Sequence, residues 1–183
     1  MWPDPPPVSI DNQFEVDYNV EVAERPTNSS TELRFRRGRV VDGLSVKVCR
    51  KGKMLWRGLF SRGENGFSAI VAGPRPAKLV VVSGGAGYLV DVMRPSSWSS
   101  LLADMITGVV CLPAENIVVL YDPWRMTATD GERTLWTWEA GTDGFSDVNV
   151  VGNMIEGLAH FPGNGPTAFS FQGMTGPEGA LSS

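Results

Sequence analysis

The sequence predicts an all-β protein of repeated antiparallel hairpins, and three observations carry that prediction. Gly (21) and Pro (13) exceed average usage and fall in short clusters along 183 residues, the pattern of tight turns between short strands. Segments such as FEVDYNVEV alternate apolar and polar residues with a period of two, which lays one apolar face on a core. Trp56, Trp98 and Trp136 stand 42 and 38 residues apart, close to the length of a four-stranded unit.

Composition narrows the class further. With 42% hydrophobic and 20% charged residues the chain is ordinary for a globular protein, long enough for one substantial core or two small ones without metal or disulfide. The start, MWPDPPPVSI, lacks a cationic region followed by an apolar run, and no stretch approaches the roughly 18 apolar residues of a membrane span. A cytoplasmic protein is therefore expected, with Cys49 and Cys111 as free thiols. Residues 1–62 hold 11 Lys and Arg against 8 Asp and Glu, while residues 63–183 hold 5 against 12, an asymmetry expected either to draw the two parts together or to offer different surfaces to partners.

Four segments are expected: an extended Pro-rich arm over 1–9, a β-hairpin module over 10–62, a second β module over 63–172, and a frayed tail over 173–183. In the first module Phe14, Val16, Tyr18, Val20 and Val22 form one apolar face. Pairing this strand antiparallel with Leu33 to Arg36 sets Val22 by Leu33, Val20 by Phe35 and Glu21 opposite Arg34. A second hairpin places Leu44, Val46 and Val48 inward, turns at residues 50–53 and returns through Met54 and Trp56. GFSAIVAG and AKLVVVS read as strands separated by Pro74 to Pro76, and GYLVDV returns after Gly84 to Gly87.

Ser97 is placed to cap a short helix near 97–106, with Trp98, Leu101, Leu102 and Met105 on one apolar stripe. GVVCL and NIVVLYD follow, split by Pro113. RMTAT and ERTLWTW form a hairpin across Asp130-Gly131, the strongest two-residue turn signal in the chain. VNVVGNMIEGLAHF and TAFSF supply the last strands.

The hairpins TDGERTLW and, more loosely, KGKMLW share a strand, a polar Gly-containing turn and a returning Leu-Trp. Over about 30 residues this pattern resembles the repeat of bacterial β-propellers of unknown function, in which a Trp near a strand end packs between blades. The resemblance implies a small or incomplete propeller-like arrangement. A β-sandwich made of the same hairpins satisfies the alternation equally.

Chemistry-bearing motifs are sparse. LVVVSGGAGY has the glycines of a phosphate loop, but Val90 stands where a third glycine is needed and YLVDV continues as a strand, so it reads as a hairpin turn. His160 is the single histidine and cannot by itself supply a zinc site; no metal and no cofactor are expected. The nine Lys and Arg between Arg34 and Arg57 read as a solvated sheet face rather than a nucleic-acid surface.

Asp122, Asp130, Glu132, Asp143 and Asp147 supply carboxylates and Trp124, Trp136 and Trp138 aromatic faces. Asp130 belongs to a turn and Trp136 to a core. Trp124 and Trp138, with Asp122 and Asp143, are the candidate binding surface. No catalytic residue is assigned. The function expected is a non-enzymatic binding or assembly module whose partner is a protein or a second copy. The alternative is a carbohydrate-binding or carboxylate-dependent glycoside-hydrolase-like protein.

Overall fold

A computed structural model describes residues 7–23, 32–36, 42–101 and 105–179 and the backbone of 181–182. The fold is all-β: open sheets of mainly antiparallel hairpins, with no closed barrel. Two compact units divide the chain, residues 1–105 and 106–183. Residues 63–105 thus join the first unit instead of the second module, because their strands share a core with 10–62.

The first unit holds two sheets. One contains β2 (Asn19–Val22), β3 (Leu33–Phe35), β4 (Gly43–Arg50) and β5 (Lys53–Ser61) in the order β2-β4-β5-β3. The other contains β1 (Val8–Asp11), β6 (Ser68–Ala72), β7 (Lys78–Ser83), β8 (Ala86–Asp91) and β9 (Trp98–Leu101) in the order β1-β6-β7-β8-β9. Val46, Val48, Phe35 and Phe60 of the first sheet meet Ile70, Leu79, Val81, Tyr88 and Val90 of the second in one buried cluster. Each such side chain contributes about 1.5–3 kcal/mol of burial. Phe35 stacks on Phe60 at 4.2 Å, and Gly58 makes room for it: a Cβ there would stand 2.5 Å from the Phe35 ring.

Several sequence expectations are corrected here. β2 does not pair with β3. It pairs antiparallel with β4, setting Glu21 opposite Lys47 and Val20 opposite Val48, while β3 runs parallel to β5 with Phe35 opposite Phe60. Both arrangements turn Val20 and Phe35 to the core, so alternation alone did not choose between them, though Val22 at the end of β2 stays exposed. The loop that would have joined the expected pair lies outside the described residues. Residues 8–11, expected in the arm and the start of the module, form β1, parallel to β6.

The helix expected near 97–106 is a strand over Trp98–Leu101, with Trp98 opposite Val90; residues 102–104 lie outside the described set. At Trp98 and Leu101 the helical spacing lost to cross-strand pairing with β8. Among the described residues the one helical turn is a 3-10 turn at Pro113–Glu115.

The second unit also holds two sheets. β10 (Gly108–Leu112), β11 (Ile117–Tyr121), β12 (Arg125–Thr129) and β13 (Thr134–Glu139) form a four-strand meander, with β17 (Leu181–Ser182) added beside β13. β14 (Gly144–Val151), β15 (Met154–His160) and β16 (Pro166–Gln172) form a three-strand meander. Leu112, Ile117, Val119, Met126 and Trp136 pack on Ile155 and Phe171 between them. Residues 173–183 are not wholly a frayed tail, since β17 pairs with β13.

All three tryptophans of the opening pattern sit on closing strands, each eight residues beyond its cross-strand partner: Val48 with Trp56, Val90 with Trp98, Ala128 with Trp136. In the first and third the ladder shifts next to the tryptophan, leaving Leu55 and Leu135 as bulge residues. The Leu-Trp pair of the sequence is thus a bulge followed by a buried indole. Trp56 donates its indole N–H to Val92 O (2.8 Å) and Trp136 to Gly173 O (2.7 Å), in each case just past the third strand of the next sheet.

Candidate functional site

A pocket of about 470 Å³ opens in the first unit, walled by residues 15–18 ahead of β2, Arg50 at the end of β4, residues 76–77 in the β6–β7 turn, and residues 92–93 after β8. Its position follows from local chemistry. Asp91 ends β8 and accepts the backbone N–H groups of Met93 (3.1 Å) and Arg94 (2.9 Å), a turn that leaves Met93 51% exposed at the pocket edge. Val92 N–H donates to Ala77 O (2.8 Å) and Val92 O accepts from Trp56, so this wall is fixed from both sides.

Tyr18 secures the opposite wall. Its hydroxyl donates to Lys78 O and accepts from Gly73 N–H (3.2 Å). Burial, with the charge of Asp17, outweighs the Gly73 hydrogen bond and pushes the phenol up to about 12. Arg50 Nε donates to the Asp17 carboxylate (2.8 Å), closing an ion pair at the rim. Glu15 is exposed beside it. The result is an apolar lining from Val16, Ala77 and Val92, with Pro76 and Met93 exposed at its edge beside the charged Glu15, Asp17 and Arg50. An apolar side chain fits the lining, and polar backbone fits the rim.

Burial by itself would raise the Asp91 carboxyl. The Arg94 guanidinium and backbone hydrogen bonds and the Lys78 charge overcome it and hold the group below the usual carboxylate range.

The residues singled out in the sequence lie elsewhere, in the second unit. Asp122 is fully buried: one oxygen accepts Trp124 N–H (2.9 Å) and Arg125 N–H (3.0 Å), and the other accepts Arg125 Nε (2.7 Å). Trp138 is half-buried among Phe145, Phe169 and Phe171. Trp124 is 48% exposed and Asp143 is exposed. Ala140 N–H bonds Trp124 O (3.0 Å) and Asp143 N–H bonds His160 O (2.7 Å), so these two share one end of the unit.

Two features escaped the sequence reading. Asp91, Asp122 and Asp130 all head the same Asp-x-x-Arg turn, each accepting the backbone N–H groups two and three residues on. The spacing was visible and would have placed Asp122 in a turn. His160 Nε2 lies 2.8 Å from Ser146 Oγ, across the β14–β15 hairpin, where the side-chain pairing depends on a ladder register that alternation does not give. The Asp147 carboxylate lies 3.5 Å from that hydroxyl, on the serine side of the pair rather than behind the imidazole as a triad requires.

Within the basic run, Lys47 meets Glu21 (3.0 Å) and Arg57 meets the buried Glu32 (3.3 Å); Arg37 and Arg39 lie outside the described residues. Among the described residues no group of three or more metal-ligating side chains gathers, and no helix is long and apolar enough to cross a membrane. Cys49 and Cys111 are free thiols.

No protein-family model matches the chain, and no curated protein matches it. Among solved structures it is similar to a chain of the S. cerevisiae assembly in which dbp5 is bound to nup159, gle1, IP6 and ADP, at 12% identity and a TM-score of 0.40. That overlap covers 90% of this chain and 54% of the other, so the chain spans about half the length of its structural neighbour.

Proposed function

We propose that this protein is a non-enzymatic binding module of the cytoplasm whose first unit takes an apolar side chain of an extended segment from a protein partner. The observation that carries this reading is the pocket of about 470 Å³ with its apolar lining and ion-paired rim. Anchoring one side chain in such a cleft, with polar contacts around it, is how a few residues dominate a protein interface. Glu15 and Asp17 outweigh Arg50 in charge, so basic residues flanking the anchor are favoured. Asp17 is held by Arg50 and Tyr18 by backbone groups, an arrangement that supports binding over proton transfer. The scaffold we infer is a propeller-like succession of meanders, supported by the eight-residue register common to the three tryptophans.

Short random peptides displayed on phage and selected on the full chain test the reading. Selected peptides should carry one apolar anchor with basic flanks and lose at least tenfold in affinity against Ala77→Asp and Met93→Asp chains. Affinities unchanged by both substitutions would refute it.

The exposed Trp124, at the same end of the second unit as the exposed Asp143, favours a second reading, a platform for a sugar ring. Glycan-array binding abolished by Trp124→Ala would support it, and an array without signal would remove it.

A further inference from the structure

We propose that β16 is an assembly edge, to which a second copy of this chain adds its own β16 antiparallel about a two-fold axis through Phe169. In the meanders β6-β7-β8-β9 and β10-β11-β12-β13 a fourth strand, bearing a tryptophan, covers the third; the meander β14-β15-β16 stops at three. The chain after Gln172 is drawn away instead. Gly173 O is held by the Trp136 indole, and Gly176 N–H closes back on Gln172 O (2.9 Å). A Cβ on Gly176 would meet the indole at 2.8 Å, and the following β17 pairs with β13. Among the described residues β16 has a ladder partner only on its β15 side.

The two edges of this sheet differ in their protection. β14 carries Asp147 at φ 53° and a register shift between Ser146 and Asn149, devices that blunt an edge against pairing. β16, PTAFSFQ, has no charge and no shift in its ladder, and its proline stands only at the first position. Pro166, Thr167, Ala168, Ser170 and Gln172 are exposed. Such an edge invites another strand.

Its own sequence fits that vacancy. Antiparallel pairing about Phe169 engages all seven residues, setting Ala168 against Ser170 of the second copy and Thr167 against Phe171 of the second copy. The odd positions continue the aromatic face on which Phe169 and Phe171 lie. The even positions bring the small Ala168 and Ser170 together at the centre, and β16 itself sets no like charges opposite one another; the nearest carboxylate on that face, Glu156, is one strand back and accepts from Ser170 Oγ (3.2 Å). The edge lies outside the peptide pocket and does not rest on it.

Light scattering of the full chain from micromolar to hundreds of micromolar should show the mass rising towards twice 19.8 kDa. Amide exchange at residues 167–171 should slow as concentration rises, while that of β14 stays constant. A chain with Ala168→Lys and Ser170→Lys places four ammonium groups at the two-fold axis. It should remain single at every concentration with an unchanged melting temperature, and should keep its affinity for pocket-binding peptides. Should that chain fold poorly, exchange in the unaltered protein still decides. A single 19.8 kDa species throughout, exchange at β16 independent of concentration, or a double mass surviving in a folded lysine chain would each overturn the proposal.

Discussion

Trp56 in the first unit and Trp136 in the second occupy one arrangement, and Trp98, at the same offset from its strand partner, occupies another. Trp56 and Trp136 follow a bulged leucine, are buried, and donate an N–H to a carbonyl just past the third strand of the sheet formed later in the chain. Trp98 follows no bulge, is half-buried, and turns back to Phe35 and Tyr88 on the side of the sheet formed earlier. Sequence spacing therefore sets the cross-strand partner. The side of the sheet on which that pair packs is set by the tertiary cluster available to it.

Truncation should separate the two arrangements most strongly. Trp136→Ala removes a fully enclosed ring and leaves Gly173 O without its donor, an expected loss of about 3–5 kcal/mol in chemical denaturation. Trp98→Ala should cost about 1–2 kcal/mol, because the half-buried ring leaves a smaller cavity. Equal losses would dissolve the distinction.

The repeated Asp-x-x-Arg turns sharpen it next. Asp122→Ala leaves Arg125 and two backbone N–H groups facing a site fully closed to water and should cost about 3 kcal/mol. Asp130→Ala, in a half-exposed turn of the same form, should cost about 1 kcal/mol. Comparable values from urea titration would mean that burial does not grade these turns.

Glycine at positive φ offers a third contrast. Gly176→Ala combines left-handed backbone (φ +70°) with a Cβ driven into Trp136 and should lose about 2–3 kcal/mol, while Gly52→Ala (φ +74°), with open space around it, should lose about 1 kcal/mol. Rescue of Gly176→Ala in a Trp136→Phe background, whose ring is smaller, would show the clash to be with the indole.

The smallest effects are in pH. Asp91 is held below the ordinary carboxylate range, so its contribution is complete above the unfolded value near 3.8 and fades as pH falls below it; Asp91→Asn should flatten the acid limb of stability. Tyr18, pushed up to about 12, keeps its proton in the fold, so stability should fall as pH rises from 10 towards 12, and Tyr18→Phe should remove that loss. Unchanged limbs in these variants would assign the pH dependence to other groups.

Local signals gave most of the strands. Asp130-Gly131, Gly84-Gly85 and Pro74 to Pro76 each stand between strands where turn chemistry placed them. What could not be read was pairing at a distance. β2 with β4, β3 with β5 and β1 with β6 were hidden because alternation tells which face is buried but not which neighbour buries it. The helix expected after Ser97 failed for a related reason: Trp98 and Leu101 fit a helical stripe, but the pairing of Trp98 with Val90 depends on β8. The pocket was beyond reach of the sequence altogether, since its walls come from four separate stretches of the first unit. Trp124 was recognisable as a surface residue, whereas Asp122, three residues before an arginine, was recognisable as a turn former.

The most direct test of the repeat is hydrogen exchange at the indole N–H groups, followed by two-dimensional NMR. Slow exchange at Trp56 and Trp136 with fast exchange at the exposed Trp124 is the expected result. Exchange at Trp56 and Trp136 as fast as at Trp124 would contradict the shared arrangement on which the repeat rests.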